Sequence, residues 1–460
     1  MIKLYNTLTK RNDELNTINE GLVKMYTCGP TVYYYPHIGN MRAYIFMDTL
    51  RRVLKYNGYQ IQGVMNITDV GHLTDDGDNG EDKMEKMAKK VKKSPYEIAE
   101  FYTNIFFDNL NKLNVDIPEH ITKATEYIPQ MIKFVQRLEE RGYTYIIDDG
   151  VYFDVSKFGG YGMLSNKSLD TVGVARVEEN TQKHHPYDFA LWKFVPEEHI
   201  MKWDSPWGVG CPGWHIECSA MSGDILGDHF DIHTGGIDHL TIHHENEIAQ
   251  NDCAFGHRVV ERWMHNEFVL VDGGKMSKSL NNIYTIDQLQ EMGYEPLAYK
   301  FFCLNTSYSK KINFTFDGLK SAQSALVNLR KILQEHKNGD NQIADETLDK
   351  YKQEFLEAVN NDLNTPLAIG VLFGMVKNEA KSKQIYDLAL EFDSALGVGL
   401  DRVPEEKSAE IPEEIVALAE LRWQAKQNKD WASADQYRAE ILEKGFVILD
   451  AKDGYKIEKK

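Results

Sequence analysis

The sequence predicts an α/β protein built on a parallel sheet, followed by an all-helical region. Three observations carry this. Residues 22–67 read as a strand–turn–helix–strand unit. From Phe316 the apolar spacing becomes helical and stays so to about Leu396. Two short polar strings, Pro36–Asn40 and Lys275–Ser279, fall at the loops such a sheet offers to a ligand.

Within the first unit, Met25–Thr27 follows Leu22 and Val23 as a short strand, and Gly29-Pro30-Thr31 forces a turn. From about Met41, Tyr44, Ile45, Leu50, Val53 and Leu54 recur at helix-face spacing, with Lys55 in the last turn and Gly58 as the stop. Ile61, Val64, Met65 and Ile67 read as the next strand. Residues 75–93 read as an acidic surface loop running into a lysine-rich segment, residues 95–142 as helical, and residues 143–200 as short strands and turns inserted in the sheet domain. Residues 203–265 return to α/β character. Phe268–Val271 is a strand closed by Asp272-Gly273-Gly274. Residues 397–408 form a linker, residues 412–445 a helix pair, and Val447-Ile448-Leu449 a short strand. The charged tail Lys456–Lys460 is expected to be disordered.

Composition narrows the function classes. The chain has 460 residues, enough for two to four domains, with 42% apolar and 27% charged residues. No apolar run approaches the roughly 20 residues of a membrane helix, and the N-terminus has no signal pattern; a cytoplasmic location is expected. The formal net charge of −18 gives no support to non-specific nucleic-acid binding, although it leaves room for a local basic face. Five scattered cysteines, Cys28, Cys211, Cys218, Cys253 and Cys303, are no disulfide framework.

Three groups of residues point to chemistry. His37, Gly39 and Asn40 sit where the first strand hands over to a helix. A helix start presents free N–H groups to phosphate, Gly39 permits close approach, and His37 offers a donor for charge that grows in a transition state. Lys275 and Lys278, beside Ser277 and Ser279, follow a Gly-Gly turn and suit a loop that closes over pyrophosphate, with Lys278 as its main cation. His243 and Glu247, spaced i,i+4, share one helix face in a His-rich stretch, but spacing alone does not define a metal site. Each group alone has a bland reading: a structural histidine, an exposed basic turn, a chance pair.

The longer strings resemble the cysteinyl-tRNA synthetase family of class I aminoacyl-tRNA synthetases. They are Cys28-Gly29-Pro30-Thr31-Val32-Tyr33, His37-Ile38-Gly39-Asn40, Asn66-Ile67-Thr68-Asp69, Gly213–Met221, His243–Gln250, Lys275–Ser279, and a C-terminal Lys429-Asp430-Trp431-Ala432 string. The resemblance spans nearly the whole chain. It implies a Rossmann-like catalytic domain with an insertion, a helical anticodon-binding bundle and a small C-terminal subdomain. The expected boundaries are 1–115 and 203–265 for the two catalytic halves, 116–202 for the connective insertion, 266–315 for the loop and stem-contact region, 316–400 for the bundle and 408–460 for the last subdomain. It implies ATP, L-cysteine and tRNA(Cys) as partners, Mg²⁺ with ATP, one zinc ion on Cys28, Cys218, His243 and Glu247, no membrane contact and a monomer. Catalytic roles fall to His37, Asn40, Lys275 and Lys278. ATP contacts fall to Gly29, Thr31, His37, Gly39, Asn40 and Lys278, and the amino-acid pocket to Thr68, Trp214, Asp238 and, on its floor, His233.

The chemistry agrees with that resemblance. Separating cysteine from serine is hard for an apolar pocket, whereas zinc strongly prefers a thiolate to a hydroxyl. No segment demands a separate editing domain. After Asp69 the family usually continues with an acidic pair and a lysine, whereas here Val70-Gly71-His72-Leu73 follows, which leaves residues 70–85 without an assigned role. Cys211 competes with Cys218 as a ligand, and the motif position favours Cys218. An amine-ligating relative would lack residues 316–460. A zinc hydrolase would have the usual two-His helix motif and no need of Lys275–Ser279.

Overall fold

The computed structural model describes residues 1–70, 83–166, 182–277, 280, 282–378, 380–403, 412–451 and 454–459. Two compact units make up the chain, Met1–Arg402 and Val403–Lys460.

The larger unit opens with an antiparallel pair, β1 (Lys3–Asn6) and β2 (Arg11–Glu14), then β3 (Leu22–Thr27), α1 (Ile38–Tyr56) and β4 (Gln60–Ile67). Helices α2 (Lys83–Val91) and α3 (Pro95–Lys112) lead to β5 (His120–Lys123) and α4 (Ile128–Glu140). An antiparallel sheet of β6 (Thr144–Ile147), β7 (Gly150–Phe153), β8 (Phe189–Phe194) and β9 (Gly210–Pro212) is inserted next. The chain then returns through α5 (Trp214–Leu226), β10 (Phe230–Gly236), α6 (His243–Phe255) and β11 (Val260–Asn266). A small sheet of β12 (Val269–Val271), β13 (Gly274–Lys275) and β14 (Ile312–Phe314) follows, with α7 (Ile286–Glu291) and α8 (Pro296–Leu304) between its last two strands. Four helices end the unit: α9 (Phe316–Lys337), α10 (Asp345–Asn360), α11 (Thr365–Val376) and α12 (Lys383–Leu396).

The central sheet is wholly parallel, in the order β11-β10-β3-β4-β5. The chain starts in the middle, builds to one edge, then crosses to build the other half. This is the doubly wound order, and its switch point lies at the carboxyl ends of β3 and β10, where such sheets bind ligands. Val23, Met25, Tyr26 and Thr27 of β3 are all buried, as a parallel strand covered on both faces requires. Helix α1 packs on β4, α8 and α12, so it is buried nearly all round rather than along one stripe. One continuous core joins sheet residues such as Met25 and Met65 to Leu326, Leu372 and Phe392 of the helices.

The sequence reading of residues 95–142 as helical is corrected by β5, which pairs with β4 from Val64↔His120 to Ile67↔Lys123. Four residues are too few for strand alternation to stand out between two helices. No described helix is long and apolar enough to cross a membrane.

Inside this unit Lys300 and Asp48 are both fully buried, 2.6 Å apart, with Arg52 Nε 2.9 Å from the same carboxylate oxygen. Burial opposes ionisation of Asp48, but Lys300 and Arg52 outweigh it and hold its carboxyl below the usual carboxylate range. The contribution is therefore present above the unfolded value of about 3.9 and lost as pH falls through the depressed native value. Lys300→Met leaves the carboxylate half-paired. It is expected to cost about 3 kcal/mol, the low end for breaking a buried pair because Arg52 remains. Urea unfolding at neutral pH measures this.

In the smaller unit, α13 (Glu413–Gln427) packs on α14 (Trp431–Glu443), and β15 (Phe446–Ala451) pairs antiparallel with β16 (Gly454–Lys459). Ile415, Ala419, Ile441, Phe446 and Ile448 form its core. The tail expected to be disordered is thus a strand through Lys459, because Tyr455 and Ile457 pack on that core. Arg422 closes the unit with a two-pronged bond to Asp450 at 2.8 and 3.1 Å.

Candidate active site and metal centre

His37 is the N-cap of α1, whose first residue Ile38 lies three residues before the helix start suggested by the apolar spacing. Its Nδ1 accepts from the Asn40 N–H at 3.2 Å, and the Asn40 side chain accepts from the His37 N–H at 3.1 Å. This reciprocal cap fixes the ring: with Nδ1 accepting, the neutral imidazole carries its proton on Nε2. The Asn40 side chain thus holds His37, and Asn40 is itself exposed. A Cβ on Gly39 would lie 2.4 Å from the Met276 methyl and 3.0 Å from the His37 ring, so glycine lets the two strings touch without moving the Met276 side chain. Tyr299 donates to the Ile38 carbonyl at 2.7 Å, and the Ile38 N–H donates to the Tyr284 carbonyl at 2.9 Å.

Arg42, buried one turn on, ties α1 to the segment that leads to Lys275. Its guanidinium donates to five backbone carbonyls, those of Glu267, Phe268, Ser307, Tyr308 and Lys310, at 2.5–3.4 Å. Lys275 lies in β13 and is exposed, and Asn282 bridges the loop beyond it, accepting from the Ser277 N–H at 2.8 Å and donating to the Lys275 carbonyl at 3.3 Å. Lys278 and Ser279 lie outside the described residues, as do residues 71–82 of the segment without an assigned role.

Cys28 follows β3 directly, its N–H on the Thr234 carbonyl of β10 at 3.1 Å, which puts the thiol at the switch point. Cys218 comes from α5 and His243 and Glu247 from α6. The four ligand atoms lie within 4.8 Å of one another, and all four residues are buried. His243 Nε2 is 3.0 Å from Glu247 Oε1 and 3.5 Å from Cys218 Sγ, and Cys28 Sγ is 3.8 Å from Glu247 Oε1. Burial pushes the Cys28 thiol well up. Burial also opposes ionisation of Cys218, but hydrogen bonding from Cys28 and the His243 imidazole outweigh it and bring Cys218 down to about 6. His243 rises to about 10 against burial because Glu247 and Cys218 face it. The charges acting most strongly on these four side chains come from one another and from His233; none is a lysine or arginine. Two thiols, an imidazole and a carboxylate with no lysine or arginine among the charges acting most strongly on them are a donor set that a divalent metal suits.

A second group shares Cys28 and Glu247 and adds His233 and His244. His233 Nε2 is 2.8 Å from Glu247 Oε2, the ring stacks on Trp263 at 4.4 Å, and its Nδ1 has no hydrogen-bond partner among the described residues. His244 contacts Cys28 at 3.2 Å and passes through His265 (2.7 Å) to Thr7 (2.9 Å). The sequence reading gave His244, His265 and Glu217 no role in this site. The doubled histidine at 243–244 was a signal for the first; nothing local marks the others. Cys211, in β9, belongs to neither group.

Of the other residues expected at the site, Gly29 and Thr68 belong to one hydrogen-bonded chain. The Gly29 N–H donates to Asn66 Oδ1 at 2.7 Å, Asn66 donates to Thr68 Oγ1 at 2.9 Å, and Thr68 donates to Glu217 at 2.8 Å. A Cβ on Gly29 would overlap the Asn66 carbonyl at 1.5 Å. Thr31 runs beside Thr68 in a parallel bridge. Trp214 starts α5 and stacks on His243 at 4.4 Å. Asp238 is exposed in the turn after β10, and His233 is fully buried behind Glu247.

The parallel sheet carries the capped helix directly after its central strand β3, and the catalytic unit is that of a class I tRNA synthetase. Residues 14–324 match the model of the tRNA synthetases class I (C) catalytic domain, and residues 354–397 match that of the DALR domain. Relatives named cysteine–tRNA ligase from Treponema denticola (41% identical, 98% of both chains), Borrelia hermsii (40%, 100% of both) and Thermus thermophilus (41%, 98% of both) align along the full length. The chain belongs to the cysteine–tRNA ligase family. Its fold is also that of methionyl-tRNA synthetase of Mycobacterium tuberculosis bound by methionyl-adenylate, with a TM-score of 0.56 at 13% identity over 90% of this chain and 96% of that one.

Proposed function

We propose that this chain activates L-cysteine with ATP and passes the cysteinyl group to the 3′ end of tRNA(Cys). One observation carries the reading above the others: a buried group of two thiols, an imidazole and a carboxylate stands at the sheet's switch point, on the strand that leads to the capped start of α1.

In the first step the substrate carboxylate, ionised at neutral pH, attacks the α-phosphorus. An acyl–phosphate bond forms, the α–β bridge breaks and pyrophosphate leaves. No general base is needed, so catalysis is positioning and charge stabilisation. His37 Nε2–H and the first amides of α1 face the phosphates, Asn40 holds the ring, and Lys275 and Lys278 bring positive charge, with Mg²⁺ entering on ATP. Gly29, Thr31 and Gly39 keep the approach open. In the second step a terminal ribose hydroxyl attacks the acyl carbon and AMP leaves. Thr68, Trp214, His233 and Asp238 line the amino-acid site. Zinc on Cys28, Cys218, His243 and Glu247 would supply a soft centre that takes a thiolate and passes over a hydroxyl. Residues 316–400 and the smaller unit serve the anticodon side, where the exposed Trp431 offers a face for base stacking.

Cysteine-dependent ATP–pyrophosphate exchange tests the reading. Exchange is expected with cysteine, to be lost on chelation, and to be roughly 10,000-fold weaker with serine. A protein that retains its metal and shows no exchange with cysteine overturns it.

A further inference from the structure

Beside the capped start of α1 lies an aromatic surface that the activation step does not use. Tyr34, Tyr35 and Phe101 are 41%, 42% and 45% exposed, unusual for three large rings in one cluster. Tyr35 meets Tyr102 edge-on at 5.1 Å and Phe101 at 6.4 Å, and Tyr34 lies 5.7 Å from Tyr35. Tyr102 is buried beneath them, so the cluster is a fixed platform rather than a set of loose side chains. Tyr35 is two residues from His37, which puts the platform at the mouth of the reaction centre.

The second observation is charge. Lys86, Lys90, Lys92 and Lys93 are exposed along α2 and the turn after it, on a chain whose net charge is −18. That turn is built. Lys92 takes left-handed backbone (φ 56°), the Lys93 N–H closes on the Ala88 carbonyl at 3.3 Å, and Ser94 caps α3. The result sets Lys93 Nζ 5.4 Å above the Phe101 ring. Glu97, one turn before Phe101, folds back on Ser94 at 2.8 Å.

Exposed rings interleaved with lysines are the surface that unpaired nucleotides fit, because every base has a stacking face and every linkage a negative charge. A paired stem offers neither its bases nor that spacing. We infer that Tyr34, Tyr35 and Phe101, with Lys93 over the Phe101 ring, form the stacking platform for the unpaired 3′ end of the tRNA, guiding its terminal ribose toward the adenylate. This rests on the proposed tRNA-charging function and names the surface that delivers the acceptor end.

The test measures binding of the full-length, metal-loaded protein to a cysteine tRNA transcript, intact or lacking its unpaired 3′ nucleotides. Phe101→Ala is expected to weaken binding of the intact transcript roughly tenfold, the loss of one stacked base, and to leave the truncated transcript unaffected. Phe101→Leu, which keeps apolar bulk without a π-face, is expected to behave like Phe101→Ala and so separates stacking from folding. Lys93→Gln is expected to lower the salt dependence of binding by about 0.7 in log–log slope, again only for the intact transcript. Cysteine-dependent pyrophosphate exchange is measured in parallel, because it needs no tRNA. Loss of exchange in the unsubstituted protein would sink the proposed function, not the platform. Equal binding by Phe101→Ala and the unsubstituted protein, or equal losses on both transcripts, would overturn the platform and leave the surface to the tRNA stem or to a protein.

Discussion

Replacing His37 with alanine is expected to lower kcat for cysteine-dependent pyrophosphate exchange about 100- to 1,000-fold, the usual cost of one donor aimed at developing charge. The KM for ATP should change far less, since the helix amides and the lysines remain. Alanine also removes the acceptor that caps α1, a loss of about 1 kcal/mol. His37→Asn separates the two effects. Asparagine caps as well as histidine does here but cannot place a donor where Nε2 lies, so this variant should unfold at the unsubstituted protein's urea midpoint and still lose exchange. Recovery of exchange in His37→Asn would reduce His37 to a structural cap.

Cys218→Ser is expected to empty the metal centre. A hydroxyl does not ionise near neutral pH and is a hard, weak donor, and altering even the groups that support a ligand costs about 10- to 100-fold in affinity; losing a thiolate should cost at least the upper figure. Elemental analysis of the purified protein should find about one zinc per chain in the unsubstituted form, little in Cys218→Ser, and full occupancy in Cys211→Ser, whose thiol lies in neither ligand group. The same measurement on Cys28→Ser and on His244→Gln distinguishes the two overlapping groups. Cys28 belongs to both, so its loss empties either. His244 belongs only to the second, so metal retained in His244→Gln assigns the ion to Cys218 and His243.

Much of this site was legible locally. The strand, the Gly29-Pro30 turn, the capped helix and its stop at Gly58 all announce themselves within a few residues, so His37 and Gly39 fall where turn chemistry puts them. The metal group was not legible in that way. Its members leave β3, α5 and α6, and only the order β10-β3 in the sheet brings them together. Resemblance supplied what spacing could not. Strands β5 and β16 escaped notice for different reasons: one is four residues between helices, and the other is mostly polar and gains its order from β15. The lysine-rich stretch at 83–93 read as solvated surface, and Lys86, Lys90, Lys92 and Lys93 are exposed; the turn at Lys92 that sets Lys93 over Phe101 is what the charge run did not reveal.

Arg42 carries a consequence for how this fold tolerates change. Its guanidinium hydrogen-bonds five carbonyl oxygens, groups which every residue type possesses alike. The joint between the capped helix and the lysine loop therefore senses the path of the main chain, and of the side chains at 267, 268, 307, 308 and 310 only the Glu267 charge is among those acting on it most strongly. Those positions can diverge chemically while the distance between the two halves of the nucleotide grip stays set, like a hinge pin indifferent to the paint on its plates.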